Sequence, residues 1–90
     1  MDLPKLWAQI RTDLERARNT LLNDAANHKA LSQYEEFLSH NELELACDIL
    51  EFYAETHAVS REFWFALRDA AAKMELHDRA RKCQSFAGGE

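Results

Sequence analysis

The chain has 90 residues, of which 47% are hydrophobic and 30% are charged, and its formal net charge is −5. A chain of this length and composition folds as one globular domain with a single modest core, and it is not of the disordered class. The acidic balance argues against a protein whose ligand is nucleic acid, because such proteins need a basic surface.

Residues that interrupt helices occur only near the two ends of the chain. Pro4 is the single proline, and Gly88 and Gly89 are the two glycines. An interior without these residues predicts an all-α fold whose helices are joined by short polar corners. We expect a compact bundle of four main helices plus a short C-terminal helix, forming one domain over residues 1–87 with a disordered tail at 88–90.

Cysteine usage and hydropathy predict a cytoplasmic protein. Cys47 and Cys83 have neither the spacing of a metal site nor the number of a disulfide framework, so we expect two reduced thiols. The N-terminus carries no basic and apolar leader, and the sequence has no run of ~20 apolar residues. Neither secretion nor membrane spanning is therefore predicted.

The first predicted helix has the clearest periodicity in the chain. Asp2 suits its N-cap, and Pro4 falls in the first turn, where its missing N–H costs nothing. Apolar residues recur at alternating steps of four and three, which predicts one buried face: Leu3, Trp7, Ile10, Leu14, Ala17 and Leu21. A polar corner is predicted at residues 23–28.

The next two helices are predicted to meet at a tight corner near His40. The second helix places Leu31, Tyr34 and Leu38 on its apolar face, with Phe37 beside them. Asn41 and Glu44 have the spacing of a capping box, which predicts Asn41 as the N-cap of the third helix. The third helix extends to about His57, and its predicted core face consists of residues at steps of three and four: Leu43, Ala46, Leu50 and Tyr53.

A fourth helix is predicted to begin after Ser60, a suitable N-cap that is followed by Glu62 in the first turn. Its inner face is predicted to be formed by Phe63, Leu67, Ala70 and Met74. Phe65 lies on the opposite face, and we expect the last segment to cover it in preference to leaving it exposed. That last segment, from about His77 to Ser85, is basic. From their central places in three apolar faces, Leu14, Leu50 and Leu67 are predicted to be interior.

The third helix also carries an unusual concentration of acids. Residues 30–60 contain seven Asp or Glu and no Lys or Arg, although the rest of the chain is slightly positive. On the third helix the acids recur at steps of four, three and four, so they share a face away from the core: Glu44, Asp48, Glu51 and Glu55. Like charges at such spacings destabilise a helix by roughly 0.2–0.5 kcal/mol per pair.

Two interpretations of this acidic face remain open, a solvated surface and a docking surface for a basic protein. Under the second interpretation the partner-binding residues are all acidic: Glu35, Glu36, Glu44, Asp48, Glu51 and Glu55. Because it relieves repulsion, the variant Asp48→Lys/Glu51→Lys is expected to fold at least as well as wild type.

The sequence contains no pattern that predicts catalysis. Gly-rich phosphate loops, G-x-S-x-G, H-E-x-x-H and C-x-x-C are all missing. Glu36 and His40 are one helical turn apart, but a metal site needs at least a third ligand. We therefore expect no catalytic residue, no cofactor and no metal, and we do not expect an enzyme.

Two segments resemble a known family. The segment FLSHNELELACDIL at residues 37–50 and the segment SREFWFALRDAAAKMEL at residues 60–76 are similar to the small helical immunity proteins of the MafI type. The resemblance covers about residues 34–76 and consists of apolar spacing. It implies a cytoplasmic protein without enzymatic activity that binds and neutralises one bacterial toxin, often a nuclease with a basic cleft.

A helical scaffold that self-associates through apolar surface around Trp7 or Phe65 is the alternative function. The oligomeric state is left open by the sequence.

Overall fold

The computed structural model describes residues 3–21 and 29–88, and within these ranges the chain forms helices and no strand. In chain order the helices are α1 (Leu3–Asn19), α2 (Lys29–Ser39), α3 (Leu43–Thr56), α4 (Arg61–Lys73) and α5 (His77–Gly88). The predicted all-α bundle is confirmed. The last helix is not short, because its 12 residues exceed the 11 of α2.

Some predictions concern residues outside these ranges. They are the N-cap at Asp2, the polar corner at residues 23–28 and the end of the tail at residues 89–90. Gly88 itself, which was predicted to begin the tail, is the last residue of α5.

The core lies where the helical faces predicted from the sequence meet. Leu14, Leu50 and Leu67 are fully buried, as predicted. The most extensive helix contacts are those of α4 with α5, α1 with α4, and α2 with α3. The predicted apolar face of α1 is buried through its middle, but Leu3 and Trp7 at its N-terminal end are exposed. Leu6 between them is partly buried against the core, so the first two turns of α1 contact the core only along one edge.

The corner between α2 and α3 differs from its prediction. Asn41 is not an N-cap: its φ is 60°, and α3 begins at Leu43 with Glu42 in the cap position and no side-chain cap bond. The N–H of Glu42 donates to the carbonyl of Phe37, and the N–H of Asn41 to that of Leu38, at 2.9 and 3.0 Å. Asn41 is thus the left-handed residue that ends α2, a conformation that asparagine tolerates well.

The corner between α4 and α5 has the same geometry. Glu75 has a φ of 61°, and the N–H of Leu76 donates to the carbonyl of Ala71 at 2.9 Å. At the start of α4, Ser60 is the predicted N-cap, and its hydroxyl accepts from the N–H of Phe63 at 3.3 Å. These caps satisfy helix-end groups that would otherwise lack partners.

Phe65 is neither fully covered nor fully exposed. It is partly buried against the core, and the guanidinium of Arg68 lies 5.0 Å from the centre of its ring. The aromatic side chain of α5, Phe86, packs against Trp64, the neighbour of Phe65, with 4.7 Å between the ring centroids and an angle of 33° between the ring planes. A cation from its own helix therefore shields part of Phe65.

Candidate protein-binding face

The core side of α3 agrees with the sequence. Leu43, Ala46, Leu50 and Tyr53 are all buried, and so is Cys47 beside them. The four acids of α3 do not share one environment, however, because α5 lies close to three of them: Asp48, Glu51 and Glu55.

Glu51 is inside the protein. Its residue is only 8% exposed. One carboxylate oxygen, Oε2, lies 3.1 Å from Nε of Arg79, and the other, Oε1, lies 3.1 Å from Nζ of Lys82. A buried carboxylate is tolerated only when its charge is compensated, and two cations of α5 supply the compensation here.

Asp48 is paired with the same arginine. Asp48 Oδ1 and Arg79 Nη1 form an ion pair in which both atoms are withdrawn from solvent. Burial alone would lower the pKa of Arg79, but its hydrogen bond with Cys47 and the carboxylates of Asp48 and Glu51 together raise that pKa. The guanidinium therefore stays charged and holds α5 against α3.

Glu55 is close to α5 but remains on the surface. Its Oε2 lies 3.8 Å from Nζ of Lys82, and Glu55 is exposed. The pKa of Lys82 is raised, first by its hydrogen bond to Glu51 and then by the charges of Glu51 and Glu55.

These contacts correct two expectations. The prediction of one solvent-facing acidic face is wrong at Glu51, which is buried, and incomplete at Asp48, which is only partly exposed. The expectation that Asp48→Lys/Glu51→Lys folds normally is replaced by its opposite, because the new lysines would meet Arg79 and Lys82. The repulsion among the acids is offset by α5, whose basic charge was visible in the sequence.

The remaining predicted acids are accessible. Glu44 on α3 and Glu35 and Glu36 on α2 are exposed, and none of the three takes part in the ion pairs formed by the described residues. Helices α2 and α3 pack against each other, which brings these acids and Glu55 onto one helical pair. A partner-binding role for them stays a prediction.

The structure reveals an apolar feature of α3 that sequence reasoning missed. Leu45 is 44% exposed and Phe52 is 60% exposed, and Ile49 between them is partly buried. At steps of four and three these residues form one row, which we call the apolar row. It is separated by roughly 90° around the helix from the acids Glu44, Asp48 and Glu55, at ~100° per residue. The signal was present in the sequence as three apolar residues outside the predicted core face.

No protein-family model, curated protein or solved structure matches this chain. The resemblance to MafI-type immunity proteins has its support in the sequence patterns of residues 34–76 alone.

The two cysteine thiols are buried, and burial makes them weak acids. Burial raises the pKa of the Cys47 thiol to about 12 and that of the Cys83 thiol to about 11, so neither is a thiolate at neutral pH. Over residues 3–21 and 29–88, no three His, Cys, Asp or Glu side chains are grouped to hold a metal ion, and no helix has the length and apolarity to cross a membrane.

Proposed function

We propose that this protein is an inhibitory binding protein of the immunity type, which docks the acidic surface of α2 and α3 on a basic toxin domain. The observation that carries the proposal is the set of accessible acids on this helical pair, Glu35, Glu36, Glu44 and Glu55. No Lys or Arg occurs between residues 30 and 60, and the ion pairs of the described residues involve only Glu55 of these four acids, through Lys82 at 3.8 Å. A field of one sign steers an oppositely charged partner and disfavours wrong partners.

The proposed mode of action follows from charge. A domain that cuts nucleic acid must present a basic cleft to its phosphates. An acidic helical pair placed over that cleft would compete with the nucleic acid for the same cations, so inhibition requires no catalysis by this chain. The toxin setting comes from the resemblance of residues 34–76 to MafI-type immunity proteins, and the charge requirement comes from the acids themselves.

The proposal is tested by reversing the accessible acids while leaving the internal ion pairs intact. The variant Glu44→Lys/Glu55→Lys should keep the fold, because both side chains are exposed and only Glu55 contacts α5, at 3.8 Å. If the protein is of the immunity type, its toxin is expected to be encoded by a neighbouring gene, and that gene's product is the partner to use. We expect the variant to bind this protein at least tenfold more weakly than wild type, and the association rate of wild type should fall as salt rises.

The matched control is Glu62→Lys, compared with the single variant Glu44→Lys. The two substitutions change the net charge by the same amount, and Glu62 is exposed in the first turn of α4. Binding should be nearly unchanged in this control. Equal binding by wild type and Glu44→Lys/Glu55→Lys would assign the acids to ordinary solvated surface.

One observation favours self-association as the second candidate function. Trp7 is 42% exposed and lines an open groove of about 560 Å³ with Leu6, Ile10 and Met74. Large exposed aromatic side chains beside a groove occur at protein contacts. Under this alternative wild type forms oligomers that Trp7→Ser disrupts, whereas a wild type that sediments as a monomer at high concentration removes it.

A further inference from the structure

We propose that the apolar row of α3, formed by Leu45, Ile49 and Phe52, is the contact for an amphipathic helix of the partner, one that has a basic flank. The inference deepens the proposed function, and it rests on that function for the expectation that the partner is a basic protein. The acids would bring the partner near, and the apolar row would hold it.

The pattern of burial on α3 is the first reason. Glu51 is 8% exposed while the adjacent Phe52 is 60% exposed, so at this turn the charged side chain lies inside and the large aromatic one outside. Leu45, two helical turns before Phe52, is also exposed, at 44%. Exposed apolar residues that repeat along one helical face are typical of a surface that another element covers.

Charge complementarity selects the occupant. The exposed acids Glu44 and Glu55 run alongside the apolar row, and α3 carries no Lys or Arg from residue 43 to residue 56. Asp48 lies between them but is paired with Arg79. A partner helix therefore fits when its own apolar stripe is bordered by Lys or Arg. A second copy of this chain fits less well, because its α3 offers no cation to the acids of the first.

The geometry of the apolar row sets the spacing expected in the partner. Leu45 and Phe52 are seven residues apart, which corresponds to about 10 Å along a helix at 1.5 Å per residue. A facing helix matches this distance with apolar residues at i, i+4 and i+7. Such anchors carry most of the affinity in helix-on-helix recognition, while the charges set orientation and rate.

The test uses a short synthetic peptide made only of leucine and lysine and patterned as an amphipathic helix. It is titrated calorimetrically into the full chain and into Leu45→Ser/Phe52→Ser. Both substituted residues are exposed, so the variant should melt close to wild type. Because the two proteins carry the same charge, a tenfold or larger loss of affinity in the variant reports on the apolar row and not on general attraction to an acidic surface.

Two controls complete the design. Leu3→Ser/Trp7→Ser removes two exposed apolar residues of α1 and should bind the peptide as wild type does. A peptide in which glutamate replaces every lysine should not bind. The inference is overturned if the leucine–lysine peptide fails to bind wild type, if Leu45→Ser/Phe52→Ser binds it equally well, or if the glutamate peptide binds as tightly.

The same variants separate the inference from the proposed function. If Glu44→Lys/Glu55→Lys no longer binds the neighbouring-gene protein but Leu45→Ser/Phe52→Ser still binds it, the apolar row is not the contact. The proposal of an acidic docking surface then stands. If wild type does not bind that protein but does bind the leucine–lysine peptide through the apolar row, the immunity function fails and the row remains a site for basic amphipathic helices.

Discussion

At the scale of single residues, the most informative positions are two buried acids. Asp13 and Glu51 are the charged side chains that the described residues bury, at 5% and 8% exposure. Asp13 is paired with Lys73 of α4, and its Oδ1 lies 3.6 Å from Nη1 of Arg16 on its own helix. Each acid thus meets a cation from a helix distant in sequence. Removing one partner of such a pair leaves a charge without compensation, which makes these positions sensitive.

For Glu51 we predict a loss of stability that an exposed acid does not show. Glu51→Gln leaves Arg79 and Lys82 without their shared carboxylate, and because both cations retain some solvent access the free energy of unfolding should fall by about 1–3 kcal/mol. The control Glu36→Gln, at an exposed position of α2, should stay within about 0.5 kcal/mol of wild type. Urea titrations of the three proteins measure both values, and equal midpoints for the two variants would contradict the burial of Glu51.

At the scale of helices, the sequence predicted the core faces well because helical periodicity is local. Burial of Leu50 or Leu67 follows from spacing along one helix, without knowledge of its neighbours. The contact of α5 with α3 has no such local signal, so the basic residues of α5 and the acids of α3 were noted separately and not paired. Asn41 was misassigned for a different reason: asparagine suits both an N-cap and the left-handed end of a helix, and only the backbone decides between them.

The exposed part of the candidate site was also only partly predictable. Glu44 and Glu55 were identified by charge count, and both are accessible. Leu45 and Phe52 were missed because a single amphipathic pattern assigns apolar residues to the core, and the exposed side of α3 departs from that pattern.

The thiols of α3 and α5 give a prediction in alkaline solution. In the folded chain the pKa values of Cys47 and Cys83 are raised by burial to about 12 and about 11, from an ordinary value of 9.0. Above pH 9 the unfolded state loses these protons while the folded state keeps them, so the contribution of the thiols to stability is complete below pH 9 and declines as pH rises toward the folded values.

The measurement is the pH dependence of the melting temperature between pH 9 and 10, below the ordinary pKa values of Tyr34 and Lys82 at 10.0 and 10.5. Wild type should lose stability over this interval. Cys47→Ala/Cys83→Ala should start lower, because it removes buried volume, and should show a smaller slope. Equal slopes for the two proteins would show that folding does not raise the pKa values of the two thiols.

At the scale of the whole molecule, the charges are unevenly distributed. The acids are concentrated in residues 30–60, and the rest of the chain is slightly positive. Part of the acidic charge is used internally, since Arg79 and Lys82 bind Asp48 and Glu51 and so attach α5 to α3. Two of the acids that remain accessible, Glu44 and Glu55, lie on the same helix as the apolar row, which gives α3 both the attraction and the contact area of a docking element.

The most direct test of this account is an NMR titration of the labelled chain with the protein encoded by the neighbouring gene. We predict that the largest amide shift changes map to the exposed side of α3, around Glu44, Leu45, Phe52 and Glu55, with smaller changes on the exposed side of α2. Amides of the core face around Leu50 should move little. Changes centred on Leu6, Trp7 and Ile10 of α1, or no changes at concentrations where a basic partner should be bound, would contradict the claim that α3 is the docking element.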